Sequence, residues 1–306
     1  MGEHAARTAF WQLQFCVFLW GFTAILGRLI TLPATALAIL GRLITLPATA
    51  LVIWRMLLAT AIVLALPRVW RGLRALDRRT LKHHALAGCV IGLHWLAFYG
   101  SIKLSNASVA VACLALGSVF AAILEPMLTG RAHQRSEFVL GLLAIPGVLL
   151  LIGGVPVTMR SGIVAGVAAA ALSALFGSLN KRNLDPRSDP AAVTAIQIGL
   201  GTIFITILGV VFFGVDVAFA TPNGSDLAWL LVLVIGCTLL PFMLWLRALR
   251  HVSVFTTQLS LNLEPVYAIV LAALLFREYA DLTPTFYIGV LIIISTVFVQ
   301  PKISKQ

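Results

Sequence analysis

The sequence predicts an all-α polytopic membrane protein, ten transmembrane helices set as an inverted 5+5 repeat. The first observation behind this is composition. Hydrophobic residues make up 60%, charged residues only 11%, and mean hydropathy is +1.01, whereas a soluble domain is about 25% charged. The second is spacing: apolar segments of bilayer length (~20 residues) recur along the whole chain. Their short connections carry Pro, Gly, Asn or Asp, as at 183–190 and 221–226, and leave no room for a soluble domain. The third is internal symmetry. Sliding the chain on itself by 147 residues sets GSVFAAIL (117–124) against EPVYAIVL (264–271), and an odd number of spans per copy inserts the second copy upside down.

Taken in order, the first apolar run starts at Phe10 and continues to Ile30 without the small-residue cleavage site of a leader, so it is read as a first span. Further helices are expected near 50–67, 86–104, 106–129, 137–154, 162–180, 191–214, 228–248, 252–276 and 283–300. The two copies divide the chain into 1–155 and 156–306. Within the first copy AILGRLITLPATAL occurs at 24–37 and again, unchanged, at 38–51. Diverged repeats do not stay identical over such a length, so this is a recent or engineered tandem insertion. Fourteen helical residues rise ~21 Å, too short for a comfortable extra span, and each copy is interrupted by proline. Helix one is expected to leave through the first copy and helix two to begin from the second, with the surplus, near 34–46, either as a short helix lying in the outer interface with Arg42 toward headgroups or as a prolongation of helix one beyond the bilayer before the Pro47 turn.

The formal charge of +11 does not point to nucleic acid, because the basic residues sit in short loops and no basic face is interleaved with aromatics. It points to topology. Arg68, Arg71, Arg74, Arg78, Arg79 and Lys82 crowd one connection, taken as a loop that anchors insertion. Most of the 22 Lys and Arg fall on the side that also holds both termini, which the positive-inside rule makes cytoplasmic. Cys16, Cys89, Cys113 and Cys237 lie within apolar segments without CxxC spacing, so they read as small core residues, with no metal site and no disulfide framework.

The candidate functional residues are those that hydrocarbon should exclude. Asn262, Glu264 and Pro265 interrupt the ninth span at its centre. A carboxylate at that depth costs at least ~2.5 kcal/mol, and Pro265 leaves the carbonyl one turn earlier, near Leu261, without its helical partner. Such a segment faces protein or a wet cavity. There Glu264 either handles a proton or a substrate amine, or is a structural carboxyl bonded to a neighbouring helix. His94, beside Trp95 and one turn before Phe98 and Tyr99, suits a proton-sensitive gate or a histidine bonded to backbone inside the bundle. Glu125, toward the cytoplasmic end of helix four, is a weaker proton carrier that can hydrate. Arg55 is expected to snorkel, or else to pair with a buried carboxylate. Trp20, Phe22, Trp95, Phe98, Phe120, Phe176, Trp245 and Tyr267 could line a cavity, although most aromatics in membrane helices only pack.

Several stretches carry a resemblance: LWGFTAILGRLI with LVIWRMLLA, IGLHWLAFYGSIKLSNASVAV, ILEP, and NLEPVYAIVLAALLFRE followed by TPTFYIGVLIII. Over essentially the whole chain they resemble EamA-type members of the drug/metabolite transporter superfamily, with the duplicated segment as a departure. The resemblance implies an inverted 5+5 bundle that exports small metabolites, often amino acids, from the bacterial cytoplasm. The expected protein is then a multi-pass secondary transporter of the bacterial inner membrane. Its partners are a small-molecule substrate, the lipid bilayer and a candidate coupled proton, and it needs no cofactor. Its substrate pathway is drawn from Glu264, His94, Trp95, Asn262, Tyr99, Trp20, Tyr267 and Glu125. The competing class is a membrane-embedded enzyme or lipid-handling protein with Glu264 and His94 as acid and base. No HExxH, GxSxG, P-loop or dinucleotide fingerprint supports an enzyme.

Overall fold

In a computed structural model the described residues are 2–29, 48–105, 107–152, 157–183, 185, 187–264, 267, 288, 291 and 292. Among them every regular element is helical and no strand occurs. The first half holds α1 (Gly2–Leu29), α2 (Ala48–Leu64), α3 (Pro67–Arg74), α4 (Arg78–Leu104), α5 (Ala107–Leu114), α6 (Gly117–Thr129) and α7 (Arg135–Ile152). The second holds α8 (Arg160–Asn183), α9 (Pro190–Phe213), α10 (Val215–Ala218), α11 (Gly224–Val234), α12 (Leu240–Ala248) and α13 (Val254–Leu261). Five helical stretches are long and apolar enough to cross a membrane: Arg78–Leu104, Val109–Thr129, Arg160–Asn183, Pro190–Phe213 and Gly224–Ala248. The bent pair of α2 and α3 could supply another.

The helices start where short polar side chains accept their free N–H groups. Asp77 caps α4 through the N–H of Thr80 and Asp189 caps α9 through that of Ala191, with Pro190 in the first turn. Asn223 and Asp226 form a reciprocal capping box on α11. At the other end of an element, Gly130 takes φ +74° to close α6, a left-handed turn that favours glycine.

The core runs along the seams that α4 makes with α8 and α9, α6 with α8, α2 with α9 and α1 with α12. Contact between α4 and α9 is close enough that a Cβ on Gly88 would sit 2.2 Å from the Gln197 carbonyl oxygen. Some polar side chains inside the bundle bond one another, as lipid cannot: the Gln197 amide nitrogen donates to Asn180 Oδ1 at 2.7 Å and to His84 Nδ1 at 3.0 Å.

Three sequence expectations change or lie out of reach. The basic connection after α2 is not a plain loop: α3 begins at Pro67 and turns 88° from α2. Val69 is buried there while Trp70 stays half exposed, so it is an amphipathic helix lying across the end of the bundle. Around the duplicated segment, α1 is described as far as Leu29 in the first copy and α2 from Ala48 in the second. The outer helix expected near 34–46 lies outside the described residues. Of the ninth and tenth spans the structure describes residues 252–264, 267, 288, 291 and 292; Pro265 and the remainder lie outside. The four cysteines are free; Cys16, Cys113 and Cys237 are buried.

Candidate functional site

Where α1, α2, α4, α8, α12 and α13 converge they enclose a cavity of about 680 Å³, counting the open space at its mouth. Its walls are mostly apolar and aromatic: Trp20, Ile91, Trp95, Phe98, Leu114, Phe176, Phe242, Trp245 and Leu261. A few polar groups converge on it: Thr23, Arg55, His94, Ser173, Thr257, Gln258 and Glu264. An enclosed apolar chamber with few directed polar groups is the usual form of a small-molecule site.

Arg55 is the centre of its polar side. It is 1% exposed and does not snorkel, because helical geometry on a distant element supplies what its guanidinium needs. Ile235–Leu239 forms a π-turn, and Pro241 has no N–H to bond the Cys237 carbonyl. That carbonyl accepts from Arg55 Nη2 at 3.4 Å. Thr238 donates its hydroxyl to the Leu233 carbonyl at 2.9 Å and accepts from Arg55 Nε at 2.9 Å. Arg55 Nη1 donates to the Tyr99 hydroxyl at 3.0 Å, and the guanidinium carbon lies 4.1 Å from the Trp95 ring centre, a cation–π contact in a desolvated place.

Glu264 opens on the same cavity and is 5% exposed. Among the described residues no carboxylate lies within ion-pair distance of Arg55, so the chamber presents one buried cation and one buried acid that do not neutralise each other directly. His94 shares the wall. Its Nδ1 is 2.8 Å from the Ala169 carbonyl oxygen; a carbonyl can only accept, so the hydrogen is on Nδ1 and Nε2 is left for other partners. The imidazole also stacks on Phe98, with ring centres 6.3 Å apart. His94 is thus bonded to backbone inside the bundle, as the second reading of the sequence has it, and its ring also faces the cavity.

The opposite wall is the aromatic cluster of Phe176, Phe242 and Trp245, in which Phe176 and Trp245 stack with centres 5.3 Å apart. Gln258 donates to Ser173 Oγ at 3.0 Å. Its amide fits only because residue 117 is glycine: a Cβ there would meet Gln258 Oε1 at 2.6 Å.

Of the candidates drawn from sequence, Glu264, His94, Trp95 and Trp20 line the cavity. Tyr99 stands behind it, buried, with its hydroxyl on Arg55. Asn262 is fully buried beside α13, and neither side-chain atom has a hydrogen-bond partner among the described residues; the Tyr267 ring packs against Phe18 at 5.6 Å. Glu125 is corrected: it is 1% exposed, not hydrated, and its carboxylate is spent on the start of α13 and on Arg131. Sequence reasoning missed the placement of Arg55, Gln258, Thr257 and Phe242. The signal for Arg55 was present in Pro241, whose missing N–H announces a free carbonyl one turn upstream.

Such a fold and chamber define a membrane transporter of small molecules. A profile of the EamA-like transporter family matches residues 12–153 and again 160–300. The chain therefore belongs to the EamA-like transporter family. Comparison with curated proteins returned no match. A solved structure titled only "Crystal structure of protein" is similar in fold, at TM-score 0.71 and 17% identity over 98% of each chain.

Proposed function

We propose that this transporter carries a small zwitterion, an amino acid or a close analogue, out of a bacterial cytoplasm across the inner membrane by alternating access. The observation that supports this reading is the unpaired coexistence of Arg55 and Glu264 on one cavity. A carboxylate approaching Arg55 gains a charge-assisted bond to a planar fork already oriented by Thr238, Cys237 and Tyr99. An ammonium group of the same molecule is drawn to Glu264. Its side chain, apolar or aromatic, is received by Phe176, Phe242 and Trp245. His94 offers Nε2 as a further polar contact.

The two copies, 1–155 and 156–306, then act as the halves that rock about the chamber, with Arg55 contributed by one and Glu264 by the other. The crowd of Lys and Arg on and after α3 supports placing that end, and both termini, in the cytoplasm. Purified protein in liposomes tests the reading by counterflow against amino acids, nucleosides and organic cations. Neutral amino acids should exchange, while their methyl esters and decarboxylated amines should not; exchange of nucleosides alone would overturn the proposal. Glu264→Gln should abolish counterflow of the zwitterion. Loss confined to flux driven by a pH gradient, with counterflow intact, would instead make Glu264 a proton carrier.

A further inference from the structure

At one end of the bundle, charged side chains that do not line the cavity bond the connection between α12 and α13. On each wall the residues at cavity level are followed, one to two turns toward the basic end of the bundle, by a tie. Phe176 of α8 is followed by Lys181, and Trp245 of α12 by Leu249; on α13, Thr257 and Gln258 stand one turn above Val254. Lys181 Nζ donates to the Leu249 and Val252 carbonyls at 2.7 and 2.8 Å, the acceptors left over past the end of α12. Glu125, from α6 in the other half, accepts the Val254 N–H on Oε1 and the Phe255 N–H on Oε2, each at 3.0 Å. Ser253 Oγ takes the Thr256 N–H and the Ser253 carbonyl takes that of Thr257, so Glu125 supplies the partners of the two first-turn N–H groups of α13 that Ser253 leaves free. Arg131 holds Glu125 in place at 3.0 Å and bonds Glu137 as well. The short connection between α12 and α13 is thus clamped by an acid from the first half and a base from the second.

We propose that Glu125 is a positioning residue of the transport cycle, the latch that keeps the cavity closed toward the cytoplasm by holding the start of α13. It acts through that helix. Eight residues of α13 span ~12 Å, and the same rod carries Thr257, Gln258 and Leu261 on the cavity wall with Glu264 just beyond its end. Drawing Glu264 toward a bound ammonium therefore pulls on the end that Glu125 grips, and release of two N–H bonds frees the cytoplasmic side. This inference rests on the orientation and rocking halves proposed above, but its test needs no substrate.

The experiment places a cysteine at Thr257 and follows its modification by a membrane-impermeant cationic thiol reagent in inside-out and right-side-out vesicles, against the same protein without that cysteine. Glu125→Gln, which leaves one acceptor oxygen and turns an N–H toward an N–H, should speed labelling from the cytoplasmic side about tenfold. Hydrogen exchange should rise over 254–261 and stay unchanged in α4, which separates a released latch from general unfolding. Lys181→Met should also speed labelling and serves if Glu125→Gln does not fold. Glu137→Gln, which leaves the bonds to α13 intact, should not. Unchanged labelling in Glu125→Gln and Lys181→Met, or equal acceleration in Glu137→Gln, overturns the latch. Acceleration seen only from the outer side would overturn the orientation proposed above and leave the latch standing at the opposite end.

Discussion

Arg55 shows how a single side chain can be read wrongly from its neighbours in sequence and rightly from its partners in space. Near a helix end with no acid close by, snorkelling is the cheaper outcome for an arginine. What reverses it is a set of acceptors more than 180 positions away, Cys237 and Thr238, released by a proline and a π-turn. The ninth-span carboxylate was legible because an acid in an apolar run stands out by itself. Glu125 stood out equally, but its partners are backbone N–H groups, which no sequence letter marks. If Arg55 binds a carboxylate, Arg55→Lys keeps the charge and loses the fork. Half-saturation in counterflow should then rise about tenfold, a loss of ~1.4 kcal/mol, and an unchanged value would remove Arg55 from the site.

At the scale of elements, the positions of the helices were largely legible because a bilayer imposes their length and apolarity. The turn into α3 was not, since its eight residues look like any basic loop until their pattern is set on a helix. Asp189 links this element to the second half: it caps α9 and accepts from Arg68 Nε and Nη2 at 2.6 and 2.7 Å. The guanidinium bond holds its carboxyl below the usual carboxylate value. A lowered value means that the group's contribution is complete above about pH 4 and fades as pH falls through the lower folded value. Asp189→Ala should cost about 1 kcal/mol at neutral pH from the cap, read as a lower thermal midpoint. On acidification below pH 4 the difference between variant and parent should shrink; a constant offset would argue that the pair with Arg68 contributes nothing.

The whole molecule shows two copies of one family unit, yet the internal match leaves its functional residues unmatched: Pro241 stands where the first copy has His94, and nothing in the first copy corresponds to Glu264. Symmetry therefore described the scaffold and not the chamber. The duplicated segment is a test of how the scaffold tolerates surplus. Removing 38–51 replaces the first residues of α2 by identical ones from the first copy and leaves four residues, 30–33, between Leu29 and the start of α2. That length is ordinary between neighbouring helices of a bundle. The shortened protein should fold, with its thermal midpoint and counterflow rate within error of the parent; loss of either would make the surplus integral to the protein.

The separation of Arg55 from Glu264 has an electrical meaning. In the proposed cycle, a chamber that holds the Arg55 cation and an ionised Glu264 is neutral when empty, and a zwitterion entering it adds nothing to the sum. Each elementary charge moved through the field of a membrane at 100 mV exchanges about 2.3 kcal/mol with that field. A carrier whose loaded and empty forms are both neutral exchanges none, so under the proposed reading voltage neither drives nor opposes turnover, and the direction of flow is left to the concentrations of the zwitterion on the two sides.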